Sequence, residues 1–283
     1  FKQKTAYEIK ECDWSSDVCS SDLVRVIRAE NKQQILAALG ETFAKLDLVY
    51  GPPFDLSVYR LWALNTVDGS PKGLTCGDDR LMVYPQYGYP LQFGAWLQVM
   101  GQKELGRIYL SIVPAEGRWN IGAFHSQQWT HESKDFATWA EEAVQDERMG
   151  MKEAAYVKFD LASKLLEGGG FLDIAMRDDI NKARDAVLSQ ADWDKSVRAA
   201  LKDFEVVYTS TLLVVGGAGV LARIRVPAEI SVETMKANCK KAAEALLKNQ
   251  WATHLEGMRC SFLLPSDDAK KDSAMGEIGR AHV

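Results

Sequence analysis

The chain has few of the residues that most often announce chemistry. Its 283 residues include four histidines and five cysteines. No two cysteines stand as Cys-x-x-Cys, so a zinc knuckle or dithiol redox motif is not indicated. No G-x-S-x-G elbow is present, which removes the usual serine-nucleophile signature. The longest apolar stretch, Thr211 to Ala222, is interrupted by glycine and falls short of the ~20 residues a membrane helix needs. Basic residues are outnumbered, with Lys+Arg at 34 against Asp+Glu at 39. They form no cluster, so a nucleic-acid footprint is not expected. No cofactor is expected either. What the chain does have is ordinary apolar content, 47 %, enough for a globular core.

The two ends read differently from the body. Lys2 to Leu23 (KQKTAYEIKECDWSSDVCSSDL) back-translates into a sequencing-library primer, a short index-like gap and the adapter that follows. Glu277 to Val283 (EIGRAHV) back-translates into the opposing adapter. Both tails therefore resemble translated adapters in the expected order and orientation. They are set aside from fold reasoning, as fusion scars are. The resemblance implies a gene truncated at both ends, and tails that make no packing contact with the body. Without the four basic and six acidic residues of the tails, the net charge of −5 becomes −3. Cys12 and Cys19 fall in the first tail, leaving Cys76, Cys239 and Cys260. Cys239 lies on the apolar face of a helix. It reads either as a buried inert thiol or as the partner of Cys260. The bridge implies a periplasmic or secreted protein; its absence implies a cytoplasmic one.

Within the body, the pattern divides at residues 24–133, 134–190 and 191–276. Asn31 can cap a helix to about Leu46, with Ile35, Leu39, Phe43 and Leu46 at helical spacing. Leu56 to Asn65 reads as a strand, followed by a loop from Thr66 to Asp79. Four strands are expected next: Arg80 to Tyr84, Phe93 to Met100, Leu105 to Val113 and Trp119 to Phe124. Short turn-rich links favour antiparallel neighbours. Ile108, Leu110 and Ile112 alternate with Tyr109 and Ser111, which predicts one buried face. The strand pair and its Gly117-x-Trp119-x-Ile121 turn loosely resemble an NTF2-like cone. The strands and their short links predict a curved meander with the first helix packed on it.

Helices are expected over Lys134 to Arg148, capped by Ser133 or Asp135, and over Met151 to Leu166. Trp139, Ala143, Ala155, Phe159 and Ala162 resemble the spacing of one tetratricopeptide repeat. Glu142, Asp146 and Glu167 depart from it, and no second copy is present. Gly168-Gly169-Gly170 is the best hinge candidate. Helical pattern resumes from Leu172 to Leu188, and Asp192 is expected to cap a further helix through Phe204. Val206 to Val215 and Val220 to Val226 predict a hairpin, Ser231 a helix cap, and Met258 to Leu264 a last strand. This closing α-β-β-α-β unit makes the fold class α+β. The expected architecture is an N-terminal helix on an antiparallel meander, a helical hairpin and the small α+β unit. The Trp119 strand and the Phe159 side of the hairpin are expected to share one interior.

Three motifs carry candidate chemistry. Gly217-x-Gly219-x-x-Ala222 matches the dinucleotide fingerprint, which needs a helix after Gly219. The alternation from Val220 to Val226 predicts a strand instead. His125, His131 and Asp135 form H-x5-H-x3-D past a strand end. They suit a general base with an orienting acid, and their residue types also suit metal ligation. They equally suit hydrogen-bonded structural histidines and a helix cap, and no metal is assigned. An aromatic-lined cleft with Trp96, Trp129, Tyr87 and Arg107 is the ligand-binding candidate. Arg118 is a second cation there, and Glu104 is expected to pair with Arg107. The leading functional reading is a non-catalytic binding or interaction protein of bacterial type. Its occupant is a small ligand or a protein partner. The alternatives are a hydrolase using His125, His131 and Asp135, and a structural envelope accessory.

Overall fold

The structure, a computed structural model, describes residues 50–51, 55–65, 74–76, 81–84, 88–115, 117–169, 172–214, 217–266 and 277–282. The helix expected over residues 31–46, the tail 1–23 and Tyr87 lie outside them. The fold is α+β with mostly antiparallel sheets. No helix among the described residues is long and apolar enough to cross a membrane.

The first sheet has the order β1-β4-β5-β6, all antiparallel, with β1 (Asp55–Asn65), β4 (Leu91–Met100), β5 (Leu105–Ala115) and β6 (Arg118–Gln128). The β5–β6 turn is closed by Gly117 at φ 74, a left-handed conformation that glycine adopts without a Cβ penalty. The strand expected at 80–84 does not join this sheet. It is the three-residue β3 (Leu81–Val83), paired with β2 (Leu74–Cys76) and β7 (Leu172–Ile174). β1 takes its place on β4 because it matches that strand over its whole length, from Asp55↔Met100 to Asn65↔Leu91. A longer ladder satisfies more backbone groups.

The helical pair is α1 (Phe136–Arg148) and α2 (Lys152–Leu165). Asp135 caps α1, its Oδ1 accepting from the Thr138 amide at 2.9 Å. The residues expected to begin a helix at Leu172 form β7, and α3 (Ala175–Val187) starts only afterwards. α4 (Gln190–Ala200) is capped by Ser189, whose side chain accepts from the Asp192 amide, and not by Asp192 itself. Ser fits because its hydroxyl reaches the amide three residues on. β8 (Glu205–Val214) and β9 (Gly217–Arg225) form the expected hairpin. α5 (Val232–Leu246), capped by Ser231, leads to β10 (Gly257–Leu263), which lies parallel to β9. A parallel neighbour requires such a crossover. Cys239 of α5 and Cys260 of β10 are bridged, with S–S 2.11 Å and Cα–Cα 5.6 Å.

The C-terminal tail departs from expectation. β11 (Glu277–His282) pairs antiparallel with β10. An open strand edge templates any extended backbone that reaches it.

The expected common interior is absent. Trp119 is 41 % exposed and packs edge-on against Phe93 at 4.8 Å. Phe159 belongs to a single large core that runs through α1, α2, α4, α5, β9 and β10. The first sheet has two small clusters of its own, one around Trp96, Tyr109 and Leu172, the other around Tyr50, Val99 and Ile108. The reason is geometric. The apolar face of the hairpin packs with the aliphatic side chains of β8–β9–β10, among them Val206, Val220, Ile224 and Met258.

Candidate functional site

The face of β5 expected outward is buried. Arg107, Tyr109, Ser111 and Val113 are all at 5 % exposure or less, as is Ile108 on the other face. β5 is a central strand, and residues 165–169 and 172–174 lie across it. Register then aligns the functional side chains. Trp96 stands opposite Tyr109 and Tyr109 opposite His125, while Arg107 stands opposite Gln127. Residues two apart share a face, so these five line one side of the sheet. Glu167, Gly168, Leu172 and Ile174 close the other wall of a cleft of ≈ 240 Å³, mouth included. The space inside it that is open to a guest is only ≈ 10 Å³, about one water.

Arg107 dominates the cleft. One Nη donates to the Leu165 carbonyl. The guanidinium carbon lies 5.0 Å from the ring centroids of both Trp96 and Trp129. These rings are 6.2 Å apart, and Tyr59 meets each edge-on at 5.4 Å. Cation–π attraction and stacking suit Arg better than Lys. Among the described residues, no carboxylate pairs with Arg107, and its buried Nε has no hydrogen-bond partner. Burial pushes the guanidinium down to about 10, against an opposing contribution from Tyr50 and then Tyr59. The expected Glu104–Arg107 pair does not form. Glu104 instead accepts from Thr130 Oγ1 at 2.5 Å and from the Ser133 amide at 3.3 Å. Those donors sit on the neighbouring chain entering α1, whereas Arg107 points to the opposite face.

The ligand-binding candidates Trp96, Arg107 and Trp129 thus come together. The proposed catalytic three are placed differently. His125 lines the cleft, its pKa lowered by burial, with Glu167 opposing that through charge and a backbone hydrogen bond. His131 lies outside the cleft lining and stacks on Trp139 at 5.9 Å. Asp135 uses Oδ1 for the α1 cap. Arg118 is exposed at the far end of β6. Tyr109, Gln127 and Glu167 escaped sequence reasoning. The i, i+2 spacing of Arg107–Tyr109 and His125–Gln127 was the available signal.

The remaining motifs are structural. No helix follows Gly219, and a Cβ there would sit 2.8 Å from the Gly257 carbonyl oxygen. Its lack of a side chain serves the β9–β10 approach, not a phosphate. Of the glycine run, Gly168 and Gly169 are closely packed, and Gly170 lies outside the described residues. A Cβ would meet Leu172 at the first and His125 at the second, each near 2 Å.

No known protein family matches this chain, and no curated sequence or solved structure does either.

Proposed function

We propose that the chain is a non-catalytic binding protein whose cleft receives an anionic group through Arg107. The carrying observation is a buried cation with, among the described residues, no acidic partner and one donor unused, and with two indoles beside it. An uncompensated buried charge is costly unless something pairs with it. A carboxylate or phosphate entering the cleft supplies that partner, and guanidinium geometry favours such groups. The lining contains no Ser, Thr or Cys, which weighs against the hydrolase reading. The bridged Cys239–Cys260 pair favours an oxidising compartment, periplasmic or extracellular.

Thermal shift with small carboxylates and phosphate esters tests this, since a ligand that prefers the native state raises its stability. At least one anion is expected to raise the melting temperature of the wild type, and Arg107→Met is expected to lose that response. Equal shifts in both proteins, or none in either, would sink the reading.

A further inference from the structure

A second cluster lies away from the cleft, where the entry to α1 meets the loop before β10. His131 and Lys134 form a two-residue turn, each amide donating to the other's carbonyl at 3.0 Å. Its central residues, Glu132 at φ 51 and Ser133 at φ 59, are both left-handed and neither is glycine. The turn carries Glu132 to the same place as His131. From the other segment, the Glu256 amide donates to the Ala218 carbonyl at 2.8 Å. The Glu256 carboxylate occupies the space that a side chain at Gly217 would fill, a Cβ there lying 1.5 Å from its oxygen.

One ring nitrogen of His131 and one carboxylate oxygen each from Glu132 and Glu256 all lie within 4.8 Å of one another. His131 is 3 % exposed, and its Nε2 is buried with no hydrogen-bond partner among the described residues. A buried ring nitrogen left unsatisfied is unfavourable, so it indicates a missing partner. Trp139 holds the imidazole from one side, and its indole nitrogen donates to the His131 carbonyl at 3.2 Å. His254 adds an outer contact, with its Nδ1 3.1 Å from a Glu132 oxygen and its ring edge-on to Trp139 at 4.9 Å.

We propose that His131, Glu132 and Glu256 bind a divalent first-row transition metal, with His254 orienting the Glu132 carboxylate. One imidazole and two carboxylates suit zinc or manganese, whereas calcium and magnesium prefer oxygen alone. Ligand atoms on a tetrahedral ion at about 2.0–2.2 Å lie about 3.4 Å apart. The exposed Glu132 and Glu256 side chains therefore close by about an ångström, while the buried imidazole stays fixed. Three protein ligands leave a coordination position for water or another molecule. The ion joins the start of α1 to the start of β10.

The test is calorimetric titration of chelator-treated full chain with Zn2+, Mn2+, Mg2+ and Ca2+, with melting temperature as a second readout. Expected is one zinc per chain, a zinc-dependent rise in melting temperature, and much weaker binding of magnesium and calcium. Glu256→Gln and Glu132→Gln are expected to weaken zinc at least tenfold, and His254→Ala by roughly 10–100-fold as an outer-sphere loss. His131→Asn should abolish binding. Because that side chain is buried, the two exposed glutamate variants decide the matter if it fails to fold. No saturable zinc binding by the wild type, or unchanged affinity in both glutamate variants, would overturn the proposal.

Discussion

Arg107 in β5 and Asp160 in α2 are both 5 % exposed, yet their surroundings differ in kind. Asp160 is met by the Arg184 guanidinium of α3 and the Thr211 hydroxyl of β8. Burial pushes its carboxyl up, while Lys164 and Arg184 oppose that. Asp160 in turn raises Arg184. Three elements converge on this one carboxylate in the half of the molecule with the single large core. Arg107 lies in the half with small divided clusters, and it has a carbonyl and two indoles but no anion. A buried charge whose partners belong to the chain is structural. One whose partners stop short of neutralising it marks a position for something else.

The sharpest way to break this contrast is to truncate Asp160. Asp160→Ala strands Arg184 and Thr211, and urea unfolding should show a loss of about 3–5 kcal/mol. A change under about 1 kcal/mol would mean that the network is not structural. Next in size is the disulfide of the same half, which closes a 21-residue separation. Its reduction, or the double replacement Cys239→Ala/Cys260→Ala, should cost about 2–4 kcal/mol. In the sheet half, Arg107→Met is expected to be nearly neutral for stability, within about 1 kcal/mol. An apolar residue of similar volume relieves a buried charge there, which offsets the loss of the bond to the Leu165 carbonyl. The same change is expected to abolish the anion-dependent rise in melting temperature proposed for the cleft. A large destabilisation without loss of binding would invert the assignment of the two sites.

The smallest effect concerns His125. Burial holds its pKa below the ordinary value of about 6.5. The native imidazole therefore stays neutral where the unfolded one takes up a proton. The contribution to stability is complete above about pH 6.5 and declines as pH falls toward the native value. His125→Gln, which cannot titrate, should reduce the fall of melting temperature between pH 7 and pH 5, the rest coming in part from His131, whose pKa burial also lowers. A profile identical to the wild type would show that His125 titrates as it does in the unfolded chain.

Much of the secondary structure was readable locally. The Asp135 and Ser231 caps, the hairpin over 205–225 and the helical stripe of Met235, Cys239, Ala242 and Leu246 each depend on residues a few positions apart. The candidates Trp96, Arg107 and Trp129 lie far apart in sequence and were brought side by side only by sheet register. The burial of β5 was not readable. Its alternation predicted the Ile108 face inward, and only the covering of the other side by residues 164–169 and 172–174 buries Arg107. The cluster of His131, Glu132 and Glu256 was equally hidden, since its carboxylates come from segments more than a hundred residues apart.

Composition and short-range pattern determined, unaided, that this chain is α+β, where α1, α2 and α5 begin, that β8 and β9 form a hairpin and that Cys260 is an available partner for Cys239. Which strand flanks β4, where the Phe159 face packs, and which polar groups meet in the cleft and beside Trp139 were decided only in three dimensions. The first set rests on dihedral preference and capping, which act over one or two turns. The second rests on competition between surfaces for burial, which compares parts of the chain that sequence order keeps apart.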